Sequence, residues 1–360
     1  MHILDNAKTF ERHDARNLRG SIALLGAQCR QAWDETQSLV LPASYTHGID
    51  QVIVAGMGGS ALPAHNIAAV FAGSLRVPLQ VVSTYALPAS ATRRSLVILS
   101  SYSGTTEEVI SIAKQALQKR IRVIGMTVGG ELSVMLRRRK LPVYQFVPKH
   151  NPCGQPRMGQ GYMLFGLLGI LDHLGLIVYS SGAVKRDIAS IYAIGKKYEP
   201  TVPLARNDAK KLAVFMHGYA PVIIGPDFLC GGMHTFANQI NENAKTFAAF
   251  FSLPELNHHF IEGLRFPRTA HRVVRFISLT STHAHPRIRT RSQITEAIIR
   301  KNGFSLWRQE LSGRTPFAAA LSLLVFGSYA SFYAALLDGI DPSAIPWVDY
   351  LKEQLAKKKS

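Results

Sequence analysis

Acidic residues are scarce in this sequence, and one long stretch has none. The chain of 360 residues carries 41 Lys and Arg against 23 Asp and Glu, a formal net charge of +18. From Gln51 to Thr106 there is no Asp or Glu. Dinucleotide-binding folds place an acidic residue about 20 positions after their glycine turn to hold the ribose, so this absence argues against NAD. No Gly-Lys-Ser/Thr follows a glycine turn here, which argues against ATP in the same way.

Cysteine is also rare, and the cysteines present are widely spaced. Cys29, Cys153 and Cys230 form no Cys-x-x-Cys pair, so we expect a reducing, cytoplasmic location rather than a disulfide framework. The N-terminal segment is charged and has no apolar core, so we expect no signal peptide.

One segment, Pro316 to Leu337, has no charged residue and is long enough to span a membrane. Its many Ala, Ser, Gly and Tyr residues dilute its hydrophobicity, and it lies late in a chain with a globular pattern. We therefore predict a helix buried in the protein and no membrane partner.

The basic charge is spread over the chain, with clusters at Arg137–Lys140, at Arg287, Arg289 and Arg291, and at Lys357–Lys359. Such a field attracts anionic substrates. Because the clusters are scattered and lack interleaved aromatic residues, we expect no specific nucleic-acid binding.

Two turns rich in glycine and hydroxyl groups carry most of the functional signal. They are Gly56-Met57-Gly58-Gly59-Ser60 and Ser101-Tyr102-Ser103-Gly104-Thr105-Thr106. Each follows a short apolar run typical of a buried parallel strand and precedes a helical pattern, so both should lie at the carboxyl edge of one sheet. Backbone N–H groups and hydroxyls there favour a phosphate. The alternative is purely structural, since Thr105 and Glu108 also fit a capping box.

The pattern of strands and helices predicts an α/β fold with two doubly wound parallel sheets, flanking helices and a C-terminal helix. We place the first domain at residues 1–180 and the second at 181–360. The expected strands lie at 51–55, 78–83, 95–100, 122–127, 142–147, 221–225, 273–278 and 304–309. The expected helices lie at 16–37, 61–71, 105–118, 132–139, 158–174, 181–197, 204–216, 230–244, 289–301 and 316–337.

The second half holds ionisable groups suited to proton transfer. Glu242 is flanked by two asparagines, His258 follows in Pro254-Glu255-Leu256-Asn257-His258-His259, and Arg157 lies just after Pro156. A carboxylate base, an arginine facing an oxyanion and a proton-shuttling histidine are the groups that enolise a sugar phosphate. A metal site is not expected, because adjacent histidines cannot easily face one ion and His283 and His285 lack nearby Asp, Glu or Cys partners.

Together these motifs resemble the bifunctional phosphoglucose/phosphomannose isomerase family, which has two sugar isomerase (SIS) domains. The resemblance runs from about residue 50 to Lys352. It implies interconversion of glucose 6-phosphate, and of mannose 6-phosphate, with fructose 6-phosphate through a cis-enediol, without a cofactor. It also implies a homodimer in which each site borrows its histidine from the partner chain.

The resemblance also implies a role for each site residue. Gly59, Ser60, Ser101, Ser103 and Thr106 would bind the phosphate of the sugar. Glu242 would move the proton between C1 and C2, and Arg157 would stabilise the intermediate. His258 and Lys352 would help to open the hexose ring.

The sequence departs from the family at several positions. After Arg157 the chain reads Met158-Gly159-Gln160-Gly161, where relatives usually carry small residues followed by Leu-Pro, and glycine there would loosen the start of the next helix. His259 stands where asparagine is common. The hydroxyl residue that admits both epimers is not placed by the sequence, although Ser343 lies in the right region. Two alternatives stay open: a non-catalytic SIS sensor of a sugar phosphate, and an SIS isomerase for another sugar phosphate.

Overall fold

The computed structural model describes residues 2–358, so Lys359 of the predicted basic tail lies outside the described residues. The first half contains a five-stranded parallel sheet of order β2-β1-β3-β4-β5. Its central strands form from apolar runs that are buried on both faces, as parallel strands require. The strands are β1 (Gln51–Ala55), β2 (Leu79–Val82), β3 (Ser95–Ser100), β4 (Arg122–Thr127) and β5 (Val143–Gln145).

Helices cover both faces of this sheet and precede it in the chain. The order β2-β1-β3 reverses direction between β1 and β3, and ligands of open α/β sheets bind at such a switch point, beyond the carboxyl ends of the strands. Both predicted phosphate turns lie there. The helices of this half are α1 (Ala7–His13), α2 (Leu18–Ala23), α3 (Leu25–Gln37), α4 (Leu62–Val70), α5 (Glu107–Gln118), α6 (Gly130–Arg138) and α7 (Gln160–His173).

The second half repeats the architecture with a four-stranded parallel sheet of order β7-β6-β8-β9. Two parallel sheets with helices therefore confirm the predicted fold class. The exact boundary at residues 180 and 181 stays a prediction. The strands are β6 (Ala220–Pro226), β7 (Ala249–Leu253), β8 (Val274–Thr280) and β9 (Leu306–Glu310); the helices are α8 (Ser181–Tyr198), α9 (Asp208–Met216), α10 (Cys230–Gln239), α11 (Pro286–Lys301), α12 (Pro316–Leu337) and α13 (Pro346–Lys357).

Several sequence predictions of local structure differ from the structure. The helix expected at residues 204–216 begins as α9 at Asp208, after a 3₁₀ turn at Leu204–Arg206. The helix expected at residues 16–37 is divided at Leu24, between α2 and α3. The helix expected at residues 230–244 ends as α10 at Gln239 and continues as a π-helical turn, Ile240–Ala244. The edge strand β7 was not predicted.

The uncharged helix α12 lies in the core of the second half and also contacts α2 and α4 of the first half. It is long and apolar enough to cross a membrane, but 94% of its most apolar window is buried inside the protein. It packs against α8, α9 and α10. This confirms the prediction of a buried helix.

The halves also meet where α4 packs against α10. Asn66 on α4 donates from Nδ2 to Oγ1 of Thr235 on α10 at 3.2 Å, and both side chains are buried. Because α4 and α10 each follow the first central strand of their own sheet, the contact relates equivalent parts of the two halves. It fixes the carboxyl edge of the first sheet relative to the end of α10.

Candidate active site

The two predicted phosphate turns are joined into one structure. Tyr102 donates its backbone N–H to Oγ of Ser60 at 3.0 Å. Oγ of Ser100 donates to the carbonyl oxygen of Ser60 at 2.7 Å. Ser60 is buried, yet its hydroxyl proton has no acceptor among the described residues, so it can be donated to a ligand. The two turns therefore form a single cradle at the switch point.

The second turn is shaped by its own hydroxyl groups. Oγ of Ser101 is fully buried, accepts from the backbone N–H of Gly104 at 3.0 Å and pairs with Oγ1 of Thr106 at 2.8 Å. Ser103 is exposed and pairs with Thr105 at 3.0 Å. Ser101 therefore stabilises the turn, and Ser103 and Thr106 are the more accessible hydroxyl residues of the turn.

The capping-box interpretation of this turn is wrong. The helix α5 begins at Glu107 with Thr106 as its N-cap residue, and no side chain among the described residues caps its backbone N–H groups. The Thr106 hydroxyl pairs with Ser101 instead. Because the N-terminus of α5 is uncapped, its first backbone N–H groups can donate hydrogen bonds to an anion.

Arg157 lies in a short 3₁₀ turn, Pro156–Met158, directly before α7, and this turn is attached to the phosphate cradle. Gln160, the first residue of α7, donates from Nε2 to the carbonyl oxygen of Gly59 at 3.1 Å. The intervening Gly159 packs against Tyr102, since a Cβ at Gly159 would lie 2.4 Å from the tyrosine ring. Glycine at position 159 therefore permits close packing against Tyr102, and the expectation that glycine loosens the start of this helix stays a prediction.

The guanidinium of Arg157 is only 4% exposed and is surrounded by acceptors. Nε donates to Oδ1 of Asn243 at 2.8 Å and Nη1 to Oε1 of Gln155 at 3.0 Å. Nη2 donates to the carbonyl oxygens of Pro342 at 2.8 Å and Ser343 at 3.0 Å. Such a planar fork of donors fixes the orientation of the group.

Glu242 stands beside this arginine, with Oε2 3.5 Å from Nη1. It lies in the π-helical turn, a distortion that often occurs at functional sites. The flanking asparagines hold the turn: Asn243 donates to Oγ of Ser331 on α12, and Asn241 donates to backbone carbonyls on both sides. The asparagines therefore hold the backbone of the turn that carries the carboxylate.

Burial dominates the electrostatics of this ion pair. It raises the pKa of Glu242, although Arg157, Lys352 and Lys245 oppose the rise, and it lowers the pKa of Arg157. Desolvation therefore outweighs the attraction between the two charges. A carboxylate with a raised pKa and 31% of its side chain exposed is suited to act as a general base.

Two of the predicted catalytic residues lie on other elements. Lys352, an exposed residue of α13, is near enough to favour the charged form of Glu242. His258 ends a short 3₁₀ turn, Glu255–His258, and is exposed. Among residues 2–358, no hydrogen bond or ion pair joins His258 to Glu242 or Arg157. The same part of the chain shows no group of three or more His, Cys, Asp or Glu that could hold a metal ion.

Two family models match this chain, one in each half. A family model for the SIS domain matches residues 47–151, and one described as the bacterial phospho-glucose isomerase C-terminal SIS domain matches residues 205–355. A bifunctional phosphoglucose/phosphomannose isomerase from Caldicellulosiruptor bescii is 32% identical over 316 residues, which cover 86% of this chain and 91% of the relative. The chain belongs to the bifunctional phosphoglucose/phosphomannose isomerase family.

A second relative matches most of this chain, and a solved structure shares its fold. A bifunctional phosphoglucose/phosphomannose isomerase from Aquifex aeolicus is 28% identical over 312 residues, covering 85% of this chain and 90% of the relative. A hypothetical protein from Thermus thermophilus shares the fold, with a TM-score of 0.75 at 14% identity, covering 98% of this chain and 93% of that chain. The two-domain fold of the family is therefore present over nearly the whole chain.

Sequence reasoning about the family missed Lys245 at this site and located Ser343 only by its region. Lys245 donates from Nζ to the carbonyl oxygens of Asn243 at 3.1 Å and Asp341 at 2.7 Å. Ser343 is fully buried, and its Oγ has no partner among the described residues. Lys245 belongs to the same short motif as Glu242, but its contact with Asp341 spans 96 positions and leaves no local signal.

Proposed function

We propose that this protein is an aldose–ketose isomerase that interconverts glucose 6-phosphate and mannose 6-phosphate with fructose 6-phosphate. The observation that carries the proposal is the position of Glu242, 3.5 Å from a buried arginine whose turn is attached to the phosphate cradle. Family membership supports it, since the relatives are named for both activities. The reaction would serve glycolysis and gluconeogenesis, and we propose a cytoplasmic location for it.

The proposed reaction divides the work between the halves of the protein. Gly59, Ser60, Ser101, Ser103 and Thr106 would bind the phosphate, and His258 with Lys352 would promote ring opening. The Glu242 carboxylate would then remove the proton from the carbon beside the carbonyl and return it to the neighbouring carbon. Arg157 would stabilise the negative charge that develops on the enediol oxygen. The reaction moves a proton between neighbouring carbons of the sugar phosphate and needs no electron acceptor.

The direct test is the rate of isomerisation by purified protein and by Glu242→Gln. The amide has nearly the same shape but cannot accept the proton, so kcat should fall by about 10³-fold or more. Glu11→Gln, at an exposed position on α1, is the matched control. Unchanged kcat in Glu242→Gln would refute the role of Glu242, and no turnover by the unaltered protein would refute the isomerase.

A second candidate, a non-catalytic sensor, shares the phosphate cradle and predicts a different result. Ligand binding stabilises the folded state whether or not a reaction follows. A thermal shift with fructose 6-phosphate but no formation of an aldose phosphate would favour the sensor. The isomerase is favoured by the proximity of the base, Glu242, to Arg157 and Lys352.

We also propose a homodimer, on the basis of exposed apolar residues near the site. Trp347 is 80% exposed and Leu351 57% exposed on α13, and Phe247 beyond the π-helical turn is 74% exposed. Apolar groups concentrated in this way favour contact with a second protein surface. A second copy would cover them and would supply its own His258 to the site.

The shared site can be tested by mixing two inactive variants, Glu242→Gln and His258→Asn. In a mixed dimer, one site combines the intact Glu242 of one chain with the intact His258 of the other. Random exchange of subunits makes about half of the dimers mixed, so activity should recover to about 25% of the unaltered protein. If both residues serve one chain's site, no activity will return.

Ser343 is our candidate for the hydroxyl that admits both epimers. A fully buried hydroxyl without a partner is unusual in a protein unless a ligand or water binds it. Its carbonyl oxygen accepts from Arg157, which places the residue at the site. Ser343→Ala should change the ratio of the rates with glucose and mannose phosphates, and an unchanged ratio would assign epimer tolerance elsewhere.

A further inference from the structure

Three successive carbonyl groups beside the proposed site are held by two cations. The carbonyl oxygen of Asp341 accepts from Nζ of Lys245 at 2.7 Å. Those of Pro342 and Ser343 accept from Nη2 of Arg157 at 2.8 and 3.0 Å. We call residues Asp341–Ser343 the 341–343 turn. Both cations favour the charged form of Glu242, so the turn is connected to the proposed base through both of them.

Lys245 is fixed at its own end as well. It is the residue at which the π-helical turn of Glu242 stops, with a left-handed backbone at φ 52°. Besides Asp341, its Nζ donates to the carbonyl oxygen of Asn243 at 3.1 Å. Its ammonium therefore connects the turn that carries Glu242 to the 341–343 turn.

The 341–343 turn leads directly to α13, which carries Lys352. In the described part of the chain α13 buries none of its residues. Packing against this chain therefore contributes little to holding the helix in place, and its position depends on the turn that precedes it. A shift of the 341–343 turn would move Lys352 relative to Glu242.

We propose that Lys245 is a positioning residue that holds the 341–343 turn, and through it Lys352, at its distance from Glu242. Arg157 performs the same task from the N-terminal half and would also face the reacting atoms, whereas Lys245 acts through the turn and, by its charge, lowers the pKa of Glu242. The effect on catalysis rests on the isomerase function proposed above. The effect on the turn and on α13 does not.

The charges around Lys245 predict how the connection depends on pH. Burial of the ammonium and repulsion by Arg157 lower the pKa of Lys245 to about 8, although Asp341 and Glu242 act in the opposite direction. The charged form, which makes the stronger hydrogen bonds, is therefore lost as pH rises through about 8. We expect kcat to decline in that range.

The test replaces Lys245 with methionine, which has a similar unbranched shape and the same preference against a left-handed backbone. Lys185→Met, at an exposed position on α8, is the matched control. Hydrogen–deuterium exchange is measured over residues 341–357, together with kcat and KM for fructose 6-phosphate. Lys245→Arg keeps a positive charge at all accessible pH values.

We expect faster exchange over residues 341–357 in Lys245→Met and no change in Lys185→Met. We expect kcat to fall by on the order of 10- to 100-fold, as when reacting groups are displaced by about 1 Å. KM should change little, because the phosphate cradle lies in the other half. In Lys245→Arg, kcat should be largely restored and its alkaline decline should move to higher pH.

Unchanged exchange over residues 341–357 in Lys245→Met would overturn the proposal, and so would an unchanged kcat in a folded variant. If Lys245→Met does not fold, Lys245→Arg decides by its pH profile: an alkaline decline in the original position would refute the role. If the unaltered protein shows no isomerase activity, the proposed function fails, but the exchange result still tests the connection.

Discussion

Removing the positive charge of Arg157 should change the titration of Glu242. Nη1 of Arg157 lies 3.5 Å from Oε2 of Glu242, and the arginine is almost fully buried. Burial raises the pKa of Glu242, and Arg157 is the strongest influence that lowers it. Without that charge the pKa must rise further. A base acts only when ionised, so the acid limb of kcat/KM should move to higher pH.

The size of the effect follows from the distance. At 3.5 Å and an effective dielectric constant of about 20, two unit charges attract by about 5 kcal/mol, or about 3.5 pKa units. This value is an upper limit on the rise in the pKa of Glu242, because the charges of Lys352 and Lys245 remain in the variant. Water also enters the space left by the guanidinium. We expect the acid limb of Arg157→Met to rise by about 1 to 2 pH units.

Arg157→Lys is the control that keeps the charge. Its ammonium cannot reproduce the planar fork that binds Asn243, Gln155 and two carbonyl oxygens. We expect its kcat to fall by on the order of 10²- to 10³-fold, because a donor to the oxyanion is displaced. Its acid limb should stay close to that of the unaltered protein.

The assay measures initial rates of glucose 6-phosphate formation in quenched samples from acidic to neutral pH. If Arg157→Met is too slow, the Glu242 carboxyl can be titrated by ¹³C NMR, with Glu242→Gln identifying its signal. An acid limb that does not move in Arg157→Met, or that moves equally in Arg157→Lys, would refute the electrostatic reasoning.

The remaining predictions concern the cradle and the stability of the fold. Gly104 has φ +72°, and a Cβ there would lie 1.9 Å from the carbonyl oxygen of Gly129. Gly104→Ala should therefore distort the second phosphate turn and raise KM for fructose 6-phosphate by at least about tenfold. An unchanged KM would contradict the role of this turn in binding. Lys210 is fully buried and donates to Oδ1 of Asp5 at 2.9 Å and to the carbonyl oxygen of Pro200 at 2.8 Å. Lys210→Met should lower the free energy of unfolding by about 1 to 3 kcal/mol in denaturant titrations, with kcat of the folded protein unchanged; equal stability would show that these bonds contribute nothing net.

The elements that the sequence predicted well are those whose signal is local. The strand Gln51–Ala55 was predicted to the residue, and so was Ser95–Ser100, because a strand buried on both faces is an apolar run bounded by turn residues. The helix Pro316–Leu337 was equally clear, since its first residue is proline and its apolar run is uninterrupted.

The elements that were missed depend on distant contacts or lack such boundaries. The edge strand Ala249–Leu253 is short and only half buried, so its pattern is weak. The division at Leu24 falls on Leu24-Leu25, two good helix formers, while the nearby Gly20 and Gly26 lie inside the helices on either side. The π-helical turn is held by bonds such as that of Asn243 to Ser331, which lies 88 positions away.

For the site, the sequence indicated the groups but not their arrangement. The Glu242–Arg157 pair joins the two halves of the chain. The resemblance to a family, and not the spacing of the residues in the sequence, indicated that both belong to one site. The distance between them and the raised pKa of Glu242 come from folding alone. The connection made by Lys245 could not be predicted, because its acceptor at Asp341 is a backbone carbonyl that any residue would provide.

The central claim is that the Glu242 carboxylate transfers a proton between neighbouring carbons of a sugar phosphate. The most direct measurement incubates fructose 6-phosphate with the protein in D₂O and follows deuterium at C2 of the aldose phosphates by NMR. A carboxylate that exchanges with solvent should introduce deuterium there, and Glu242→Gln should introduce it at least about 10³-fold more slowly. Deuterium entering at the same rate with Glu242→Gln would contradict the account.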